Sequence, residues 1–316
     1  MKIVFLDAGT IGSDVNTAYF SDFGEQEIYV STPANLIPDR IKDADVIIAN
    51  KAKLTSEVLS CAKSLKLICV TATGYDNVDI AHCKKCGIAV CNVKGYSTNS
   101  VAQVTVATVL SLCCNLRQFN DFCITGAYTA SGVQNRLEPA FNELEGKVWG
   151  IYGFGDIGKK VAKIAEAFGC KVLVCKKNPV DDFECVSLAE LFERSDIITM
   201  HTPLTDETFH SVNEEILSKA KKNLVLVNTA RGAVNDEAAV AKAVKEGRIA
   251  AYGTDVYSVE PINESNPIFE IKDMKNVILT PHMAWGAYES RVRVIVEVHK
   301  NIKAFLDGEV RNRVDI

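Results

Sequence analysis

The sequence has no apolar run of the length that a membrane span requires, and it has no repeat or low-complexity tract. Its first residues, MKIVFLDAG, enter a strand-like pattern directly and lack the layout of a signal peptide. The formal net charge is −5, which gives no sign of the basic surface that nucleic acid binding requires. We therefore expect a cytoplasmic protein whose partners include neither membranes nor nucleic acids.

Disulfide bonds are not expected either. The 11 cysteines are odd in number, scattered, and often inside apolar runs, which is typical of reduced thiols in the cytoplasm. Cys83 and Cys86 form a CxxC pair in a predicted helix, but no second ligand pair lies nearby. We interpret them as surface or packing residues and predict no metal. A metal site or a redox pair is the alternative.

What the chain does contain is an alternation of strand-like and helical patterns. Its 316 residues, 47% hydrophobic and 24% charged, are enough for two globular domains. Short β-branched runs such as KIVFLD, DVIIAN, VWGIYG and LVLVNTA alternate with helical patterns such as KKVAKIAEAFG. This alternation predicts an α/β fold with parallel sheets.

Two long helical patterns interrupt the alternation, at Ser97–Phe122 and Ala287–Gly308. The first is largely apolar on one side and contains neither Gly nor Pro, so we predict one long helix there. Both helices could cross between two domains, which would make the first domain discontinuous. The alternative is that both pack within one large α/β domain.

A glycine turn in the middle of the chain predicts a dinucleotide site. Gly153, Gly155 and Gly158 have G-x-G-x-x-G spacing, after an apolar strand and before an amphipathic helix. The first glycine permits a tight turn, the second lets the backbone approach a pyrophosphate, and the third allows the helix to pack closely on the strand. The alternative is a tight strand-to-helix turn without a ligand.

A similar segment near the N-terminus, FLDAGTIG, is not expected to bind a nucleotide. Asp7 occupies the position of the first glycine, ahead of Gly9 and Gly12, and its carboxylate would crowd and repel a pyrophosphate. We predict a strand end and a loop there. A nucleotide site in mid-chain also disfavours lactate and malate dehydrogenases of the L-specific type, whose glycine turn opens the chain.

Reactive side chains follow three later strands. Arg231 follows LVLVNTA, Asp255 and Glu260 follow the strand in AAYGTDV, and His282 ends NVILTPH. Each alone is typical of an ordinary loop residue, but carboxyl ends of parallel strands face the ligand crevice, so the groups can converge there. Arg is suited to gripping a carboxylate, and His to proton transfer near neutral pH. A neighbouring Glu would orient the imidazole and favour its charged form, which carbonyl reduction needs.

This ordered combination resembles the D-isomer-specific 2-hydroxyacid dehydrogenases. The resemblance is carried by GIYGFGDIG, MHTPLTDET, VNTARGAVND, GTDVYSVEP and LTPHMAWG, and nearer the N-terminus by NKAKLT, TATGYDNVD and NVKGYSTNSVAQ. These motifs span nearly the whole chain in the family's order. Within the family, GYSTNSVAQ and the Trp of PHMAW are most similar to glycerate dehydrogenases, also called hydroxypyruvate reductases.

The resemblance implies two Rossmann-like domains: a substrate domain of residues 1–98 plus 286–316, and a dinucleotide-binding domain of residues 99–285. It also implies a cleft that closes on substrate and a homodimer held largely through the long first helix. The implied reaction reduces a short 2-keto acid, with hydroxypyruvate or glyoxylate favoured, to the D-2-hydroxy acid. The alternative is a corepressor-like scaffold that binds the dinucleotide without turnover, which the short chain ends disfavour.

Carried over position by position, the resemblance implies that His282 is the proton donor, Glu260 its partner and Arg231 the anchor of the substrate. The backbone amides of Thr73 and Gly74 would also hold the substrate carboxylate. The implied cofactor-binding residues, with Thr229 and Asp255 at the nicotinamide end, are Gly153, Gly155, Asp156, Ile157, Gly158, Lys176, Thr202, Pro203, Thr208, Thr229, Ala230 and Asp255.

The choice between NAD and NADP depends on KVLVCKKNP, the predicted strand that follows the glycine turn and its helix. By alignment with the family, Lys176 stands where NAD-specific members have Asp, which binds the ribose hydroxyls and repels a 2′-phosphate. Lysine cannot accept those hydrogen bonds but attracts the phosphate, and Lys177 and Asn178 could add a cation and a donor. We therefore expect NADP to be favoured over NAD. The alternative is that both lysines project into solvent and either cofactor is used.

Overall fold

The β-branched runs form strands that lie in two separate parallel sheets, which confirms the predicted α/β fold class. The computed structural model describes all residues from 1 to 316. The chain divides into two compact units, one of residues 1–97 with 286–316 and one of residues 98–285. Each unit contains one sheet and its own helices.

The first unit is built on a five-stranded sheet with the order β2-β1-β3-β4-β5. Its strands are β1 (Lys2–Phe5), β2 (Glu25–Ile28), β3 (Val46–Ala49), β4 (Leu67–Val70) and β5 (Ala89–Cys91). Its helices, numbered along the whole chain, are α1 (Ile37–Ile41), α2 (Ser56–Leu59), α3 (Ile80–Cys86) and α11 (Tyr288–Leu306). All residues of β3 and β4 are buried, as is usual for parallel strands covered on both faces.

The second unit is built on a seven-stranded sheet with the order β12-β11-β10-β9-β6-β7-β8. Its strands are β6 (Val148–Tyr152), β7 (Lys171–Cys175), β8 (Glu184–Cys185), β9 (Ile197–Met200), β10 (Val225–Asn228), β11 (Ala251–Thr254) and β12 (Val277–Leu279). Its helices are α4 (Thr98–Cys113), α5 (Leu116–Ile124), α6 (Ala127–Ser131), α7 (Asp156–Ala167), α8 (Leu188–Arg194), α9 (Glu214–Lys219) and α10 (Glu237–Lys245). Short 3₁₀ helices complete the two units at Ala8–Thr10, Ala18–Phe23, Ala34–Leu36, Gly232–Val234 and Pro267–Ile271.

In each sheet the strand order reverses at one point. The reversal lies between β1 and β3 in the first sheet and between β6 and β9 in the second. Open parallel sheets form their ligand crevices at the carboxyl ends of the strands beside such a reversal. The fold therefore offers one candidate crevice in each unit.

The pattern at Ser97–Phe122 predicts one long helix, but the structure has two, so that prediction was wrong. Helix α4 ends at Cys113 and α5 begins at Leu116, with a bend of 67° between them. Asn115 has a left-handed backbone with φ of 53°, which Asn tolerates better than most residues. A helix can thus break without Gly or Pro. No single helix is long and apolar enough to cross a membrane, and only α4 and α5 together, across this bend, meet that test of length and composition.

The glycine turn after β6 needs its first and third glycines for steric reasons. Gly153 has φ of +92°, and a Cβ there would lie 2.4 Å from the amide nitrogen of Thr202. A Cβ on Gly158, in the first turn of α7, would lie 2.3 Å from the carbonyl oxygen of Gly153. A Cβ on Gly155 would meet nothing within 4 Å. Packing within the unit explains two of the three glycines and leaves the second without a steric need.

We expect Gly158→Ala to destabilise the protein and Gly155→Ala, its matched control, to leave it nearly unchanged. The new methyl group at position 158 meets backbone, and overpacking of this kind costs about 1–3 kcal/mol, more than the gain of about 1 kcal/mol in helix propensity. At position 155 the change in the free energy of unfolding should stay within about 0.5 kcal/mol. Urea unfolding of both variants measures the difference. Equal midpoints for the two variants would contradict this steric account.

Candidate active site

The glycine turn joins β6 to the N-terminus of α7 beside the reversal of strand order. Asp156 and Ile157 are the first two residues of α7. The first amides of a helix have no acceptor inside the helix and attract an anion. Because Gly155 is exposed and a Cβ there would meet no protein atom, the backbone at this point is open to close approach. These features fit the pyrophosphate of a dinucleotide.

Lysine residues follow β7, which is the neighbour of β6 on one side. Lys176 is half-buried directly after the strand. The Nζ of Lys177 lies 2.7 Å from Oε1 of Glu207, which belongs to the loop after β9 on the other side of β6. The cation at position 177 is therefore already paired, whereas no ion pair is formed by Lys176. Of the two lysines, Lys176 is the better placed to receive a further anion.

The loop after β9 contains three of the predicted cofactor-binding residues. Thr202 is buried at its start and Pro203 is exposed. The hydroxyl of Thr208 donates to the carbonyl of Pro203 at 2.7 Å and accepts from the amide of Thr205 at 2.8 Å. These bonds shape the loop itself, and the predicted contacts of the three residues with a cofactor stay predictions.

The turn that carries Arg231 is held by a residue that the sequence did not single out. The side chain of Asn228, the last residue of β10, accepts from the amide of Ala230 at 2.9 Å and donates to the carbonyl of Arg231 at 2.9 Å. Asn228 is fully buried. The hydroxyl of Thr229 lies 2.8 Å from that of Thr105 in α4. The signal for Asn228, an Asn at a strand end before a turn, is too common to be recognised in a sequence.

Two of the predicted catalytic side chains, those of His282 and Glu260, are in direct contact. The imidazole Nδ1 lies 2.6 Å from Oε2 of Glu260, and both side chains are about one quarter exposed. The other carboxylate oxygen of Glu260 accepts from the amide of Tyr257 at 3.2 Å. The Glu260 carboxylate therefore sets the ring orientation of His282 through Nδ1.

Asp255 holds the turn on which His282 stands. Its carboxylate accepts from the hydroxyl of Thr280 at 2.6 Å, from the amide of Met283 at 2.9 Å and from the amide of Ala284 at 2.8 Å. His282 has φ of 51°, an unusual conformation for this residue type, so the turn needs such support. Asp255 is only 2% exposed. Its location at the nicotinamide end stays a prediction. Its hydrogen bonds in the structure stabilise the turn that carries His282.

The loop that carries Glu260 is held by two residues that the sequence did not indicate. A Cβ on Gly232 would lie 1.9 Å from the carbonyl carbon of Tyr257, so only glycine lets the two segments approach. The buried carboxylate of Glu237 accepts from the amide of Ser258 at 2.9 Å and from the side chain of Asn266 at 2.8 Å. Their partners lie more than 20 positions away, which local sequence patterns do not show.

A second histidine at the same edge of the sheet is unsuited to acid catalysis. His201 follows β9, and its Nε2 lies 3.0 Å from the hydroxyl of Thr199. Burial lowers the pKa of His201 to about 3, so its imidazole is neutral near pH 7. His282 has a carboxylate partner instead. The structure thus distinguishes the two histidines by environment.

Thr73 and Gly74, the predicted ligands of the substrate carboxylate, follow β4 in the first unit. The hydroxyl of Thr73 donates to the carbonyl of Val93 at 2.9 Å, and the carbonyl of Thr73 accepts from the side chain of Asn92 at 2.7 Å. These two bonds fix the peptide at the start of the segment. The backbone amides of Thr73 and Gly74 donate to no acceptor within the chain, which leaves two successive donors.

The CxxC pair is divided between the core and the surface of α3. Cys83 is buried, and Cys86 is exposed with its Sγ 3.5 Å from Nε2 of His82. No group of three or more His, Cys, Asp or Glu side chains is arranged to hold a metal ion. All of the cysteines in the chain are free thiols.

Comparison with known proteins identifies chains that this protein resembles over its full length. The family model for the NAD binding domain of D-isomer specific 2-hydroxyacid dehydrogenases matches residues 106–284. The chain is 36% identical to a hydroxypyruvate reductase of Blautia hydrogenotrophica over 100% of both chains, and 34% identical to a glycerate dehydrogenase of Methylorubrum extorquens over 99% of both. A solved D-lactate dehydrogenase from Aquifex aeolicus, complexed with NAD and lactic acid, superposes with a TM-score of 0.88 at 33% identity over 99% of both chains. The chain therefore belongs to the D-isomer-specific 2-hydroxyacid dehydrogenase family and is an NAD(P)-dependent oxidoreductase.

Proposed function

We propose that this enzyme reduces hydroxypyruvate or glyoxylate to the D-2-hydroxy acid, with His282 as the proton donor. The observation that carries the proposal is the 2.6 Å contact between His282 and Glu260 at the carboxyl edge of the sheet that also bears the glycine turn. The relatives named hydroxypyruvate reductase and glycerate dehydrogenase support the substrate class. A short 2-keto acid offers the carboxylate and the carbonyl that Arg and His recognise.

The proposed reaction balances with one proton. When bound, the reduced dinucleotide supplies a hydride to C2 of the keto acid. Arg231 binds the carboxylate and polarises the carbonyl, and the amides of Thr73 and Gly74 are further donors to the carboxylate. His282 gives the proton on Nε2 to the carbonyl oxygen while Glu260 stabilises the imidazolium through Nδ1. The imidazole then takes up a proton from solvent and the cycle closes.

We expect the purified protein to oxidise NADPH or NADH when hydroxypyruvate is added, as followed by absorbance. The variant His282→Ala should lose at least ~100-fold in kcat, the usual scale for removal of a general acid. Its affinity for the dinucleotide should change little, and His201→Ala is the control for loss of a histidine elsewhere on this edge. Absence of turnover with every short 2-keto acid and either cofactor would refute the proposal and favour a scaffold that binds the dinucleotide only.

We also propose that NADP is preferred over NAD and that Lys176 provides the preference. The ion pair with Glu207 engages Lys177, so Lys176 is the cation after β7 that a 2′-phosphate can recruit without breaking an ion pair. A unit-charge pair at ~4 Å is worth about 1 kcal/mol in water and about 4 at an effective dielectric of 20. Since about 1.4 kcal/mol is a tenfold preference, one such contact supports roughly 10- to 100-fold selectivity.

The ratio of kcat/KM for NADPH to that for NADH tests this preference. Lys176→Asp should shift the ratio toward NADH by at least ~10-fold, because the carboxylate repels the phosphate and accepts from the ribose hydroxyls. Lys177→Ala, the matched control, should shift it much less because Lys177 is 76% exposed and paired with Glu207. A wild-type preference for NADH, or a ratio unmoved in Lys176→Asp, would disprove the assignment.

A homodimer is the proposed assembly, and the surface around α5 supports it. Five large apolar side chains between residues 116 and 141 are more than half exposed: Leu116, Ile124, Val133, Leu137 and Phe141. Rings pack along the same segment, since Phe119 meets Phe141 edge to face at 6.4 Å between centroids. A segment with this many exposed large apolar side chains is a candidate interface. Because α5 falls within the long helical pattern predicted to form the dimer, we propose a second copy of the chain as its partner.

Light scattering after size exclusion tests the dimer. We expect Leu137→Asp, at a site 78% exposed, to weaken the dimer at least ~10-fold, since a charge is buried without a partner. Val310→Asp is the control because Val310 is 72% exposed in the other unit. A wild-type mass equal to that of one chain at micromolar concentration would overturn the proposal. The cytoplasm remains the proposed compartment, and the free cysteine thiols support it.

A further inference from the structure

The first unit has its own reversal of strand order, between β1 and β3. In open parallel sheets the carboxyl ends of the strands beside the reversal form a ligand crevice. Asp7 lies just after β1 and residues 50–52 lie directly after β3, so these segments form the two sides of that position. The sequence predicts a strand end and a loop at Asp7. Its carboxylate has a more specific environment.

The carboxylate of Asp7 binds three successive backbone amides. Oδ1 accepts from the amide of Asn50 at 2.9 Å. Oδ2 accepts from the amides of Asn50 at 3.1 Å, Lys51 at 2.6 Å and Ala52 at 2.9 Å. Successive amides that converge on one anion form the concave arrangement in which folds of this kind bind phosphate or carboxylate ligands. Here the anion is part of the chain, and it is only 6% exposed.

The loop that Asp7 holds is joined to the segment that follows β4. The carbonyl of Ala52 accepts from the side chain of Asn77 at 3.0 Å. The amide of Leu54 donates to the carbonyl of Asn77 at 2.8 Å, and the carbonyl of Leu54 accepts from the amide of Asp79 at 3.0 Å. A continuous set of bonds therefore runs from Asp7 through residues 50–54 to residues 77–79.

That segment begins with Thr73 and Gly74, whose amides donate to no acceptor within the chain. Their start is fixed by the bonds to Val93 and Asn92, and their end is fixed by Asn77. Only the second of these supports depends on Asp7. Loss of the Asp7 carboxylate would thus free the loop at residues 50–52 and, through Asn77, one end of the segment with the two donors.

We propose that Asp7 is a positioning residue that acts as an internal anion. Its carboxylate occupies the amide nest, formed by the backbone amides of Asn50, Lys51 and Ala52, at the reversal of the first sheet. In this way it holds the Thr73–Gly74 amides in position for the carboxylate of the substrate. This role rests on the proposed function, in which those amides bind a 2-keto acid. Anion binding by the nest can be tested independently of the proposed function. A nest emptied by mutation should accept a small external carboxylate, whichever substrate the enzyme reduces.

The test compares Asp7→Ala and Asp7→Asn with the wild type, in the presence and absence of sodium formate. Asp7→Ala removes the internal anion and leaves room for formate. We expect KM for hydroxypyruvate to rise at least ~10-fold with kcat and the Kd of NADPH nearly unchanged, the pattern of lost substrate binding. Formate should raise Tm and should lower KM again, once its competition with the keto acid, as measured in the wild type, is corrected for. Asp7→Asn keeps one acceptor oxygen, so its KM should be intermediate and its response to formate absent.

Asp45→Ala is the matched control. Asp45 lies in the same unit and accepts from the amide of Lys2 at 2.9 Å and from Nζ of Lys66 at 3.0 Å, but at the amino ends of β1 and β4. We expect this variant to lose Tm without a rise in KM. Formate should not stabilise it, and in the control and the wild type formate acts only as a competitor of the keto acid.

A folded Asp7→Ala with wild-type KM, or with no gain of Tm in formate, overturns the proposal. If Asp7→Ala does not fold, Asp7→Asn decides: a lower Tm with unchanged KM would show a structural role only. If the wild type reduces no 2-keto acid, the proposed function fails. The change in Tm of Asp7→Ala on addition of formate would still test the internal anion: a rise supports it and no change refutes it. Failure of the proposed function and failure of the Asp7 proposal are therefore distinguishable.

Discussion

The candidate active site depends on the buried carboxylate of Asp255. A charge removed from water is costly unless its oxygens accept hydrogen bonds, and here the three donors are the hydroxyl of Thr280 and the amides of Met283 and Ala284. The bonds that make the burial of Asp255 tolerable are therefore the bonds that shape the turn of His282. That turn presents the imidazole to Glu260 at 2.6 Å in spite of a backbone conformation that histidine rarely adopts.

The same device occurs elsewhere at the carboxyl edges of the sheets. Glu237 binds the amide of Ser258 and so holds the loop of Glu260, and Asp7 binds the amides after β3. Loops on a rigid sheet carry the chemistry, but a loop has few backbone partners of its own. A buried carboxylate provides several strong acceptors at one point and so holds the loop in one conformation.

Local chemistry made much of the fold and the candidate site predictable. The alternation of patterns indicates parallel sheets, the glycine spacing indicates the turn after β6, and reactive residues after strands must share one edge. Two of the predicted catalytic residues meet, since His282 contacts Glu260. The break at Asn115 and the two-residue strand β8 could not be predicted, because neither depends on a local pattern. Asn228 and Glu237 were not predicted, because their role is to hydrogen-bond the loops of Arg231 and Glu260, and the sequence does not show which groups they contact.

By itself the sequence determined the fold class, the family, the mid-chain turn and the side chains available for proton transfer, because each follows from residue type and spacing. It also predicted that no pyrophosphate binds beside Asp7, since like charges repel. Only the tertiary structure showed that the Asp7 carboxylate itself occupies the amides of residues 50–52. Asp7 and Asn50 are 43 positions apart, and only the pairing of β1 with β3 brings the carboxylate onto the amides. Such a hydrogen bond needs both partners within about 3 Å, which only the packed sheet provides.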